Sequence, residues 1–230
     1  MAAAADLRFA LDELTGAFRR AHPDLAVSVA YGSSGNLYSQ LLSGAPFDVF
    51  LSADVVYPRQ LAARDLTVPD SEFSYATGQL VVWVPATSGL DVEHLGLRAL
   101  ADGSAKHVAI ANPAHAPYGR AAEAALRSAG VYDDVRPKLV LGESVSQALQ
   151  FVQSGAADAG VVALSLAVSP TAGQGRYAAV PLDLYPRIDQ SGVVLRAAAD
   201  RDAAMTFRAF MLGGSARAVL KRFGFTVPAA

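Results

Sequence analysis

His107–Gly130 reads HVAIANPAHAPYGRAAEAALRSAG, and this stretch decides the fold class. His107-Val108-Ala109-Ile110-Ala111 is a short, mostly apolar run and reads as a strand. Asn112 to Pro117 carries two prolines in six residues and reads as a loop. Tyr118 to Ser128 is rich in alanine, the strongest helix former, and Gly130 supplies the stop. A strand, a loop and a helix in that order make one β/α unit.

The same order repeats outward. Downstream, Lys138 to Leu141 is a strand. Val145, Leu149 and Val152 share one helix face, Gly155 closes that helix, and Ala159 to Leu164 is a strand again. Upstream, Leu7, Leu11, Leu14 and Phe18 fall at helical spacing, and His22-Pro23 ends the helix. Ala26 to Tyr31 reads as a strand and Gly32-Ser33-Ser34-Gly35-Asn36 as a turn. Leu37, Leu41 and Leu42 carry a short helix that Gly44 stops. Asp48-Val49-Phe50-Leu51-Ser52 and Leu80 to Val84 are buried strands. Arg201 to Phe223 is helical, with Phe207, Phe210 and Met211 as its apolar stripe.

Alternating strands and helices imply a mainly parallel α/β sheet. There are two such series, with Ser74 to Gln79 between them and no Pro- or Ser-rich linker. The expected organisation is two α/β lobes, residues 1–79 with 188–230 and residues 80–187. They are joined by apolar crossing strands at Leu80–Val84 and Gly192–Leu195.

Composition narrows the function. Of 230 residues, 52% are hydrophobic and 17% charged, which excludes a disordered or fibrous chain. There is no cysteine, hence no disulfide, thiol nucleophile or thiolate metal site. The formal charge of -2, without a basic cluster, argues against nucleic acid. No apolar run approaches the ~18 residues of a membrane span. Met1-Ala2-Ala3-Ala4-Ala5 has neither the basic segment nor the apolar stretch of a signal peptide.

In open α/β sheets, ligands bind at the carboxyl ends of strands, facing helix starts. Four junctions qualify: Ala5-Asp6, Ser33-Ser34-Gly35-Asn36, Pro117-Tyr118-Gly119 and Glu143-Ser144-Val145. None contains Lys or Arg. Helix starts offer unpaired N–H groups and the positive end of a dipole, so several together suit an oxyanion without a cationic side chain. Hydroxyls of Ser33, Ser34 and Tyr118 would add donors. The simpler reading of each junction alone is an ordinary N-cap. A carboxylate beside an anion is repulsive, so Asp6 is expected to cap its own helix and present only its backbone N–H.

Other constellations are weaker. Gly32-Ser33-Ser34-Gly35 is not the G-x-S-x-G elbow, and no histidine is placed to serve Ser34. His115, in a loop near Tyr118, reads as a surface residue. There is no His pair at helical spacing, no acidic cluster with metal-ligand spacing, no phosphate loop and no dinucleotide fingerprint.

At these residues the chain resembles the molybdate-binding proteins of bacterial ABC importers. The resemblance runs through Ala3-Ala4-Ala5-Asp6-Leu7, Gly32-Ser33-Ser34-Gly35-Asn36-Leu37 and Gly44-Ala45-Pro46-Phe47-Asp48-Val49-Phe50-Leu51-Ser52-Ala53-Asp54. It continues through Asn112 to Gly119, Gly142-Glu143-Ser144-Val145, Ala159-Gly160-Val161-Val162 and Lys221-Arg222-Phe223-Gly224-Phe225. It implies a two-lobed periplasmic-binding-protein-like α/β fold of type II with a central ligand cleft. The ligand would be molybdate, with tungstate indistinguishable by size and charge and sulfate held less well. By resemblance, the binding residues are Ala5 and Asp6 in the first loop, the Ser34 hydroxyl, Tyr118 and the Val145 amide.

Two departures stand out. Ala163 occupies a position where some members have a binding tyrosine, so Tyr118 would take over that role. Asp6 stands where a hydroxyl is often found, and Met1-Ala2 replaces the usual β residues of the first strand. The resemblance further implies a monomeric periplasmic receptor that hands its anion to a membrane permease. It implies no enzyme activity, no cofactor and no metal held directly by protein ligands. The alternatives are a binder of another oxyanion or a small organic acid on the same fold, or a serine hydrolase using Ser34.

Overall fold

Ala2–Ala4 form β1, a run of buried alanines with a strand on each side and helices over both faces. Ala30–Gly32 (β2) pairs with it in parallel on one side and Val49–Ser52 (β3) in parallel on the other. The computed structural model describes residues 1–228, which divide into two units, Met1–Gly78 with the chain from Asp189 onward, and Gln79–Ile188.

In the first unit the chain leaves β1 through a 3-10 turn, Ala5–Leu7, straight into α1 (Arg8–Ala21). After β2 comes α2 (Ser34–Leu42), and after β3 comes α3 (Val56–Ala62). Phe73–Gly78 (β4) and Ile188–Val194 (β10) complete a sheet of order β2-β1-β3-β10-β4, in which β10 runs antiparallel to β3.

Successive residues of each strand point to opposite faces. Ala3, Leu51 and Val194 therefore meet Leu11, Leu14 and Phe18 of α1, with Phe207 and Met211 of α9 (Arg201–Leu212) and Leu220 of α10 (Gly214–Arg222). Their neighbours Ala2, Phe50 and Val193 meet Leu37 and Leu41 of α2 and Leu61 of α3.

The second unit is built on Leu80–Pro85 (β5), Val108–Ala111 (β6), Leu139–Gly142 (β7), Ala159–Ala163 (β8) and Gly175–Ala179 (β9). The sheet order is β7-β6-β8-β5-β9. Strand β6 is parallel to both β7 and β8, whereas β5 is antiparallel to β8 and β9. The connecting helices are α4 (Val92–Leu95), α5 (Pro117–Ser128), α6 (Tyr132–Val135), α7 (Val145–Gln153) and α8 (Leu164–Ala167). The Lys138 ammonium donates to the carbonyls of Leu100, Ala101 and Asp102 at 3.1, 3.1 and 2.8 Å, closing the end of a 3-10 turn whose acceptors have no helical partner.

Four expectations need correction. The sheets are mixed rather than mainly parallel, because β10 and β5 enter each sheet antiparallel. The strand expected over Ala26 to Tyr31 is paired only at Ala30–Gly32, since its ladder extends only as far as β1 does. Ser74 to Gln79 is not a plain connection but falls largely within β4, whose Phe73, Tyr75 and Ala76 are buried. The C-terminal helix is two helices, broken where Gly213 adopts an extended ψ of 162°.

Candidate functional site

In the first unit, β2, β1 and β3 are parallel and end at one edge. Ala5, Asp6 and Ser34 sit there, all buried. Ser33 adopts an extended conformation and its Oγ accepts from Asn36 N–H at 3.4 Å, so it is the N-cap of α2. Ser34, expected in the turn, is thereby the first helical residue. Its Oγ accepts the Ala53 N–H at 2.9 Å, which ties the start of α2 to the loop after β3. A hydroxyl that accepts one bond keeps its own proton to donate, and no described residue takes it from Ser34.

The loop after β3 is itself held from several sides. Ser52 Oγ donates to Asp54 O at 2.7 Å and accepts from Asp54 N–H at 3.1 Å. Tyr75 of β4 donates its hydroxyl to Ser52 O at 3.0 Å. Burial first, and the Asp6 carboxylate second, hold the Tyr75 phenol well above its ordinary pKa.

The expected capping by Asp6 is overturned. A capping side chain belongs to the residue just before the helix, but the 3-10 turn already begins at Ala5, which puts Asp6 inside the first turn. The carboxylate turns instead into the interior, where Asp6 is 1% exposed, and its Oδ2 accepts from Gln190 Nε2 at 2.6 Å. Gln190 is fully buried on β10. No pattern around it in the sequence marks it: Asp189, Gln190, Ser191 and Gly192 form a polar stretch ahead of the apolar pair Val193-Val194.

In the second unit, Tyr118 and Val145 lie at the ends of adjacent parallel strands, since Ala111 of β6 is in register with Gly142 of β7. Both are buried. Asn112 N–H donates to Gly142 O at 2.8 Å, fastening the two junctions together. Tyr118 is the second residue of α5, behind Pro117 at the first position. Gly119 follows, and a Cβ there would lie 2.2 Å from Ala111 O, so only glycine lets α5 start this close to the end of β6.

Val145 opens α7. Ser144 Oγ accepts from Gln147 N–H at 3.3 Å, and the Gln147 side chain accepts from Glu143 N–H at 2.6 Å, a capping-box arrangement shifted by one residue. His115 Nε2 is 3.4 Å from Glu143 Oε2, joining the loop before α5 to the loop before α7. Thus the structure brings Ala5, Asp6 and Ser34 to one sheet edge and Tyr118 and Val145 to another.

Ser34 has a backbone N–H as its partner rather than a histidine. Among the described residues no group of three or more His, Cys, Asp or Glu could hold a metal ion, and no helix is long and apolar enough to cross a membrane.

A mixed α/β sheet in each of two units, with ligand-type junctions at the strand ends, defines a class. Residues 1–226 match the family of bacterial extracellular solute-binding proteins, and the chain belongs to it. Within that class it is a member of the molybdate-binding proteins. It is 39% identical over 199 residues to the molybdate-binding protein ModA of Rhodobacter capsulatus, covering 86% of this chain and 77% of the relative. It is 40% identical over 202 residues to ModA of Azotobacter vinelandii, covering 86% and 78%. The solved structure of the Azotobacter vinelandii periplasmic molybdate-binding protein superposes with a TM-score of 0.92 at 35% identity, covering 99% of this chain and 98% of that one. These relatives are substrate-binding proteins rather than enzymes.

Proposed function

We propose that this protein is a periplasmic receptor that captures molybdate and delivers it to the permease of an ABC importer. The lobes are residues 1–79 with 188–230 and residues 80–187, and each carries candidate donors for an oxyanion. Ala5 and Asp6 offer backbone N–H groups, Ser34 its hydroxyl and amide, Tyr118 its hydroxyl and Val145 its amide. The observation that supports this best is that each unit carries two buried helix starts at the ends of parallel strands, with no Lys or Arg among the five residues. Burying a dianion is tolerable only when its oxygens are hydrogen-bonded, and fixed neutral donors achieve that without an ion pair that would hinder release.

The receptor performs no chemistry, needs no cofactor and acts as a monomer. Tungstate, with the same charge and nearly the same size, is bound as well; the smaller sulfate is bound less well. Calorimetric titration with molybdate, tungstate, sulfate and phosphate tests the reading. Equal stoichiometric binding of the first two and weaker binding of the others is expected. No binding of molybdate, or tighter binding of phosphate, refutes it.

A further inference from the structure

Asp6 is a carboxylate buried where the site needs to welcome negative charge. Burial opposes its charged form, and two features of its surroundings offset that cost. It lies in the first turn of the helix that continues as α1, the positive end of that dipole, and Gln190 Nε2 donates to it at 2.6 Å. Two elements face it across the sheet edge, β10 through Gln190 and β4 through Tyr75, whose hydroxyl is itself committed to Ser52 O. The carboxylate is thus held to the α1 side of the sheet, but it cannot leave its own backbone. An anion on the Ala5–Asp6 segment lies within roughly 7 Å of it, inside a Debye length and screened only weakly because the group is buried.

We propose that the Asp6–Gln190 pair is the charge-discriminating element of the anion site: a fixed buried negative charge that lowers affinity for dianions more than for monoanions of the same shape. This rests on the reading above that the Ala5–Asp6 segment faces the oxyanion. Gln190 is a positioning residue here, since it holds the carboxylate in place and does not touch the anion. The consequence is a site that binds molybdate less tightly than its donors allow and so releases it more readily.

Coulomb energy scales with the product of charges, so removing the carboxylate should change the logarithm of affinity twice as much for a dianion as for a monoanion. Perrhenate is a tetrahedral monoanion of nearly molybdate's size and is the control. The test measures molybdate by calorimetry and perrhenate by competition, at one pH and salt, in wild type, Asp6→Asn and Asp6→Asn/Gln190→Glu. Asp6→Asn should tighten molybdate about thirtyfold and perrhenate about fivefold. The double variant returns one carboxylate and one amide to the same buried pair, so its perrhenate-to-molybdate ratio should return to that of wild type.

Equal factors for the two anions in Asp6→Asn, or weaker molybdate binding, overturn the proposal, as does a double variant that keeps the Asp6→Asn ratio. Perrhenate that competes in neither protein overturns it too, because discrimination then does not run through Asp6. Should Asp6→Asn fail to fold, the neutral Asp6→Ser carries the same comparison. Wild type that binds no molybdate refutes the functional reading itself, whereas normal wild-type binding with equal factors refutes only this inference.

Discussion

At the edge of the first sheet the buried groups are polar side chains tied to one another or to backbone, whereas at the edge of the second they are mostly apolar residues, with Tyr118 among them. Asp6 meets Gln190, Ser34 meets the Ala53 amide and Tyr75 meets Ser52 across strands that are far apart in sequence. In the second unit, Ala111, Ala116, Tyr118, Val145 and Ala163 are buried around the corresponding strand ends, and placement comes from Gly119 and from the capping of α7 by Ser144 and Gln147. The first edge is fixed by hydrogen bonds whose partners can be deleted one at a time. The second is fixed by steric closeness, which tolerates no added atom but is indifferent to many side chains. The two edges should therefore fail differently.

The largest effect belongs to Gly119. The atom that an added Cβ would meet is a backbone oxygen, which cannot rotate away. Gly119→Ala should destabilise the protein by about 3 kcal/mol, in the upper range for overpacking, and lower the thermal midpoint by roughly 10 °C. An unchanged midpoint would mean that α5 has slack at its start and that the second edge is not set by contact.

Ser34→Ala comes next and acts on the first edge twice. The Ala53 N–H loses its acceptor and is left buried, at a cost of about 2 kcal/mol in stability, and the anion loses a donor. Molybdate affinity should fall ten- to hundredfold. Lowered stability with unchanged affinity would make Ser34 a structural tie only.

How far these residues were legible beforehand follows the same division. The β/α alternation and all four junctions were readable because each is written in a few neighbouring residues: an apolar run, a Ser or Pro, then a helical stripe. Ser33 and Ser144 as caps are equally local. What was not readable joins distant segments. The antiparallel entry of β10 and β5 is a choice of partner, which an apolar run does not encode. Gln190 lies 184 positions from Asp6, so the fate of that carboxylate depended on which strand came to lie beside β3. Strand β4 is not legible as an apolar run because Ser74 and Thr77 break it, although Phe73, Tyr75 and Ala76 face the core.

Val145 separates backbone from side chain at the second edge. Proline is well accepted at the first position of a helix, where its missing N–H has no helical partner in any case. Val145→Pro should therefore fold normally, yet lose a donor to the anion, with molybdate affinity falling about thirtyfold, or about 2 kcal/mol. Val145→Ala, which keeps the amide, should bind within about twofold of wild type. Loss of affinity in both would show that the valine side chain, not its N–H, matters there.

Tyr118 is the one polar side chain proposed to serve the anion from the second edge, and so the sharpest test of the contrast. Ala163, fully buried at the end of β8, supplies no hydroxyl, so the phenolic donor proposed for this unit is Tyr118. The ring is buried and stays in place in Tyr118→Phe, so the packing of the ring is preserved. Losing a single hydroxyl donor to a buried dianion should weaken molybdate about tenfold, near 1.5 kcal/mol, the smallest of these effects. Equal affinity for wild type and Tyr118→Phe, measured at one pH and salt, would mean that the ring alone counts. The second edge would then bind through backbone groups only, and the division between the two sheets would be complete.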